Sequence, residues 1–374
     1  MRMKRLILLA VAAAIAGAGC AKHYETNPVT QGPAIGFGTW TETLTKRDAG
    51  SNTFVADDQF KVYGFKTNSD ASTAGIFNGD VVTAGTDATT WSYSPVRYFD
   101  PTATKYTFFA ISEGGSYTVN QYEGLFVGSS DLSFAGNDQD VLVAEKKEVL
   151  PAAYGNKVEL VFRHIASQVN VQVKKDAALN DTHITVQVTG ISLTDVINKG
   201  TYHVTAYTEN VPAVTWVAGA APNTATYTNA SITAEAPATV SAYSTYKTTG
   251  DDKNGVDATT GDLTSLLTNQ IVMPQNLNNG QKLNIAYKIV TTDDSEPENT
   301  ATTEYTASIA IKDFYETDAK NNLDSFDEAL TNNITLWEPG KKYVYTITIN
   351  ANKIDFSASV TDWTTVNGYR YLVQ

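Results

Sequence analysis

The alternation in Val169-Asn170-Val171-Gln172-Val173, repeated in Ile184-Thr185-Val186-Gln187-Val188, decides the fold. Successive side chains of a strand point to opposite faces. An apolar residue at every second place therefore describes a strand with one face in a core. The same period runs outward in both directions. Before it come Phe60-Lys61-Val62-Tyr63-Gly64-Phe65, Tyr106-Thr107-Phe108-Phe109-Ala110-Ile111, Asp140 to Ala144 and Val158 to His164. After it come Leu283 to Ile289, Tyr305 to Ile311, Tyr343 to Ile349 and Ile354 to Val360. Turn chemistry separates the runs, including an Asn78-Gly79 pair suited to a tight hairpin and an Asn279-Gly280 turn. Period 2 over so many segments predicts an all-β chain built as β-sandwiches.

Composition agrees. Tyr (20) and Phe (14) are abundant, as suits pleated, half-buried surfaces. The length of 374 residues suggests about two domains. A charged patch, Glu145 to Glu148, followed by Pro151, marks the expected boundary, with one domain over 35–155 and a second over 156–374. The net charge of -13, with no basic stripe, excludes a nucleic-acid partner.

The N-terminus reads as an export signal. Arg2, Lys4 and Arg5 precede an apolar run from Leu6 to Ile15 and the small residues Ala16 to Gly19. That run is shorter than the roughly 20 residues a membrane-spanning helix needs. Cys20, the only cysteine, follows at once. The arrangement resembles a bacterial lipobox, with Gly17 where Leu is usual. It implies cleavage after residue 19, lipidation of Cys20 and a tether over 20–34. Several acyl chains hold a protein stably at a membrane. The plainer reading is an ordinary signal peptide with a stray thiol.

A first strand is expected over 35–44, with Ile35, Phe37 and Trp40 on it. Lys46-Arg47 and a polar loop through Asn52 come next. The chain closes with Tyr369, Tyr371 and Val373 alternating with Arg370 and Leu372.

No catalytic constellation is found: no Gly-x-Ser-x-Gly, no phosphate loop and no His-Glu-x-x-His. His164, His183 and His203 are read as packing or surface residues, not as a metal triad. Asp251-Asp252-Lys253-Asn254-Gly255 hints at a calcium loop. With Gly255 at its sixth place, though, Gly250 and Gly261 occupy the first and twelfth, and neither has a side-chain ligand. No enzyme activity, cofactor or metal is expected. Trp91, Tyr93, Tyr98 and Phe99 could form a sugar-stacking platform, but their spacing suits strand burial better.

Several of these segments, in this order, resemble the Bacteroidales fimbrillin family. They are Phe60 to Phe65, Phe77 before Asn78-Gly79, Trp91 to Phe99, Tyr106 to Ala110, Phe162-Arg163-His164 with Val169 to Val171, Trp337 to Tyr345, and Val360 to Trp363. The resemblance implies two transthyretin-like β-sandwich domains in tandem and a subunit, stalk or tip, of a type V pilus that supports adhesion. It implies export to the outer membrane and the cell surface through the lipoprotein machinery. An Arg-specific protease then removes the first strand, and a strand from the next subunit refills the groove.

Carried onto this chain, the cut falls between Arg47 and Asp48, and the removable strand carries Ile35, Phe37 and Trp40. The donor strand is sought over 364–374, at Tyr369, Tyr371 and Val373, which serve equally well to finish the second sandwich. Lys46-Arg47 also reads as a solvated basic pair. Implied partners are other pilus subunits, the protease, the export machinery and a host or bacterial surface ligand. A different class of function stays open: a tethered lipoprotein that binds a glycan or host ligand near the 218–262 loops.

Overall fold

A computed structural model describes residues 32–39, 56–86, 89–112, 131–134, 140–176, 179, 181–208, 211–218, 224–241, 263–278, 280–293, 299–316, 334–350 and 354–362. The strands run in chain order as follows. The first nine are β1 (Phe37–Thr39), β2 (Gln59–Thr67), β3 (Thr73–Ala84), β4 (Trp91–Ser92), β5 (Lys105–Ser112), β6 (Asp131–Ser133), β7 (Leu142–Val149), β8 (Val158–Leu160) and β9 (Arg163–His164). Then come β10 (Ser167–Lys175), β11 (Ile184–Ile197), β12 (Lys199–Thr208), β13 (Val211–Ala218), β14 (Thr224–Thr228), β15 (Ala238–Thr239) and β16 (Thr264–Val272). The last are β17 (Gln275–Asn276), β18 (Lys282–Thr292), β19 (Thr300–Ala310), β20 (Tyr315–Glu316), β21 (Leu336–Trp337), β22 (Lys341–Ile349) and β23 (Ile354–Asp362). Single 3-10 turns at Pro151–Ala153 and Ile311–Asp313 interrupt them, and no α-helix occurs among the described residues. The protein is all-β, as the period-2 pattern predicts.

Six strands, in the order β4-β3-β2-β5-β7-β9, form the first large sheet. Both of its faces are covered. Phe60, Val62, Tyr106, Phe108, Ala110, Leu142 and Ala144 point to one core, which Ile35, Phe37, Val158, Leu160 and Phe162 close from the other side. Tyr63, Phe65, Phe109, Ile111 and Val143 point the opposite way. They meet Phe134, Tyr202, Val204 and Met273, with Trp216 packed alongside. Strand β5 is therefore buried from Phe108 to Ser112 without alternation, which is why it reads as a continuous apolar run. The second cover is the hairpin β12–β13 with β6, drawn from both halves of the chain.

The strands that follow form a two-layer sandwich. One sheet has the order β16-β10-β22-β23-β20, and the other β14-β11-β18-β19 with β15 on β11. Between them lie Val169, Val171 and Val173 from β10, with Val186, Val188 and Leu193 from β11. Leu283, Ile285 and Tyr287 from β18 and Tyr343, Tyr345 and Ile347 from β22 complete the layer. Strand β10 runs parallel to β22, so the sheet joins a strand near the middle of the chain to one near its end. Strand β16 serves two cores: Leu266, Leu267 and Val272 enter the sandwich, while Ile271, with Met273 just beyond the strand, enters the core under β12–β13.

Two expectations shift. Asn78-Gly79 is not a hairpin turn. It lies inside β3, at a register shift between Val62↔Asp80 and Tyr63↔Asn78, with Gly79 at φ +81. A Gly-containing pair that supplies positive φ serves a bulge as well as a turn, and local sequence does not separate them. The β2–β3 hairpin instead turns at Asn68 to Ser72, where Asp70 accepts the Ser72 N–H at 2.9 Å. The aromatic run after β4 is mostly core, as expected, with Phe99 1% exposed, but Tyr98 is 43% exposed.

Within the sandwich the Trp337 indole N–H donates to the Tyr345 hydroxyl at 2.8 Å, both side chains being wholly buried. Tyr345→Phe is expected to lower stability by about 1–3 kcal/mol, the cost of stranding a buried donor. Urea unfolding followed by tryptophan fluorescence measures it. The further loss on adding Trp337→Phe to Tyr345→Phe is expected to be smaller than Trp337→Phe causes alone.

A groove filled by the first strand

The segment Pro33 to Thr39 is held on both edges by other parts of the chain. Along its first stretch, Ile35 N–H donates to Arg97 O at 2.8 Å and Phe99 N–H donates to Pro33 O at 2.9 Å. Ala34 forms an antiparallel bridge with Tyr98. Along its second stretch, Val158 N–H donates to Gly36 O at 2.7 Å. Then β1 and β8 run parallel, with Phe37↔Val158, Gly38↔Glu159 and Thr39↔Leu160 in register. The segment thus fills a slot between the turn 97–99 and β8.

Its apolar side chains plug the first core. Ile35 is 2% and Phe37 1% exposed. The Phe37 ring meets four others edge-on: Phe77 at 5.5 Å, Tyr93 at 5.6 Å, Phe108 at 5.8 Å and Phe60 at 6.1 Å between centroids. Edge-to-face pairs at such distances contribute about 0.5–1.5 kcal/mol beyond burial, and burying each side chain contributes about 1.5–3 kcal/mol. The slot is built for an aromatic residue flanked by small ones.

The walls are themselves fixed. The Tyr93 hydroxyl donates to Ile35 O at 2.6 Å and accepts from Arg97 N–H at 3.2 Å. Burial raises its pKa, so it stays protonated and able to donate. Arg97 pairs with Asp80 at 2.6 Å and lies 5.1 Å over the Phe77 ring. Lys66 donates to Asp100 at 2.7 Å. That bond, with two more from Thr102, holds the Asp100 carboxyl down at about 2. A folded value below the ordinary 3.8 contributes stability that is present above that pH and is lost as pH falls through about 2.

The site brings together two of the residues expected on the removable strand, Ile35 and Phe37. Trp40, Cys20, Arg47, Asp48, Tyr369, Tyr371 and Val373 lie outside the described residues. Sequence reasoning missed Tyr93 and Arg97 as clamps and Glu159 as the neighbour of Gly38. The aromatic run around Tyr93 was visible, but its hydroxyl contact with a strand 58 residues away was not. His164, read as a packing residue, is buried and paired with Asp140 at 2.8 Å. No cluster of three metal-ligating side chains occurs among the described residues. An open cleft of about 740 Å³ also lies on the sandwich, lined among others by Ser192, Thr228, Asn229, Asn284 and Ser308.

Comparison with known proteins adds to this. A family model described as fimbrillin-like matches residues 45–363. No curated protein matches the chain. A fimbrial protein from Bacteroides vulgatus, solved by crystallography, aligns with a TM-score of 0.54 at 18% identity, over 88% of this chain and 99% of that one. The tip fimbrial protein Mfa3 from Porphyromonas gingivalis, with a C-terminal truncation, aligns with a TM-score of 0.39 at 9% identity, over 88% and 98%. The first alignment shows a shared fold.

Phe37→Ala is expected to destabilise the first core by about 3–5 kcal/mol, read as an earlier urea midpoint. Tyr93→Phe, which removes only the hydroxyl clamp, is expected to cost about 0.5–1.5 kcal/mol in the same assay.

Proposed function

Since the chain belongs to the fimbrillin-like family, we propose that it works as a lipoprotein precursor that becomes a pilus subunit by losing its first strand. Family membership makes it a structural protein of the cell-surface fimbrium, not an enzyme, and one that associates with other pilus subunits. The route is the proposal. The precursor reaches the outer membrane through the lipoprotein export machinery, with Cys20 acylated. An Arg-specific protease then cuts between Arg47 and Asp48. The cut releases the acyl anchor and the segment that fills the groove, and the tail over 364–374 of the next subunit takes its place. The division into two tandem sandwich domains belongs to the same reading.

The observation that carries it is the Phe37 plug. The segment is bonded mainly through its backbone and inserts Ile35 and Phe37 into one core. Its loss leaves unpaired N–H and C=O groups beside an open aromatic pocket, which is a template for another strand. A head-to-tail contact of that kind does not close on itself and so propagates as a filament.

The other reading, a tethered module that binds a glycan or host ligand, draws on the open cleft beside Thr228 and Asn229. Its lining is uncharged and mostly apolar, with hydroxyl and amide groups from Ser192, Thr228, Asn229, Asn284, Thr306 and Ser308 able to bond a polyhydroxylated ligand.

The N-terminal residue of protein sheared from cells separates the two. The pilus reading expects Asp48, and expects Arg47→Ala to abolish that terminus and to leave protein acylated at Cys20 with few or no filaments. An acylated Cys20 on wild-type protein, or unchanged filaments from Arg47→Ala, overturns the cleavage assignment.

A further inference from the structure

The outer face of the groove carries charge that the resident strand does not use. Val158 and Leu160 of β8 point into the core, so Lys157 and Glu159 face the other way. Opposite them in register stand Gly36 and Gly38. A Cβ built on Gly36 meets Lys157 Cγ at 3.8 Å. One built on Gly38 meets Glu159 Oε1 at 2.6 Å, so the carboxylate lies directly over that glycine. Neither Lys157 nor Glu159 has an ion-pair partner among the described residues. A replacement strand therefore meets a positive charge just before its aromatic plug and a negative charge just after it.

We infer that this charge pair sets the register of the incoming strand, and that Gly368-Tyr369-Arg370 of a second copy occupies the places of Gly36-Phe37-Gly38. This rests on the strand-replacement reading above and adds its register. The tail alternates aromatic and aliphatic residues, so Tyr369, Tyr371 or Val373 could each be the plug on apolar grounds alone. Charge separates them. With Tyr369 in the pocket, Arg370 falls beside Glu159 and Gly368 beside Lys157. With Tyr371 in the pocket, Arg370 falls beside Lys157, a like-charge contact across neighbouring strands. With Val373 in the pocket, Leu372 and Gln374 leave both charges unmet. The chosen register also keeps a glycine where the resident strand has one. Its costs are Asn367 at the place of Ile35, so the aromatic ring supplies most of the apolar burial, and a Cβ at the place of Gly38, for which the flexible Glu159 carboxylate must swing aside. The register is stated for a strand that runs as the departed one does, parallel to β8.

Disulfide trapping in assembled filaments tests this. Cys20 is the only native cysteine and leaves with the cleaved segment, so introduced thiols stand alone. The inference expects disulfide ladders from Glu159→Cys with Arg370→Cys and from Lys157→Cys with Gly368→Cys, and none from Lys157→Cys with Arg370→Cys. Charge reversal reads the same contact without cysteines. Glu159→Arg or Arg370→Glu alone is expected to lower polymer yield by about fivefold or less, and the two together restore it, as for an exposed ion pair. Wild-type filaments that begin at Asp48, together with cysteine variants that trap 157 with 370 or neither expected pair, overturn the register and leave strand replacement standing. Wild-type protein that keeps Cys20 and forms no filament overturns both.

Discussion

The slot beside the first large sheet depends on one ring. Phe37 sits where Phe60, Phe77, Tyr93 and Phe108 converge, with Ile35 buried beside it. The segment has little else to hold it. It makes a few backbone bonds to the turn 97–99 and to β8, plus one from a tyrosine hydroxyl. An element joined by a short ladder and a single large side chain can be exchanged for another of the same shape. An interior strand such as β2 cannot be, because removing it would break two long ladders at once.

The proposed exchange leaves the packing of the rest of the molecule in place. The large sheet is clad on two sides, and only one of the cladding layers includes the first strand. The other, the β12–β13 hairpin, packs Tyr202, Val204 and Trp216 against Tyr63, Phe65 and Phe109. Strand β16 ties that layer to the sandwich beyond. Loss of residues before β2 thus opens one core and leaves two intact. The buried Asp140–His164 pair and the bonds from Gly340 N–H to Ala166 O and from Ser167 Oγ to Glu338 O lie at the junction that stays closed.

The turn at 93–100 has a double role. Its aromatic residues wall the pocket, while its backbone carbonyls and amides form one edge of the slot. Arg97 links the two functions, since its carbonyl receives Ile35 and its guanidinium covers Phe77. The bulge at Gly79 falls one residue before Asp80, the partner of that guanidinium, so an interruption in β3 stands next to the clamp.

Sequence by itself determined the all-β class, the strand positions around Val169 and Ile184 and the fimbrillin-like resemblance. Each rests on a period of two or on a local string of residues, and such signals survive without knowledge of partners. What only the tertiary structure decided is which distant residues meet. Glu159 lies over Gly38, the Tyr93 hydroxyl reaches Ile35, and β5 is covered on its two faces by different, distant parts of the chain. Asn78-Gly79 makes the same point in miniature, because a positive φ permits a turn or a bulge and only the neighbouring strand's register selects between them. Strand pairing is a long-range bond between chain segments with no fixed separation, so the pattern along one segment specifies its own buried face but not what it will face.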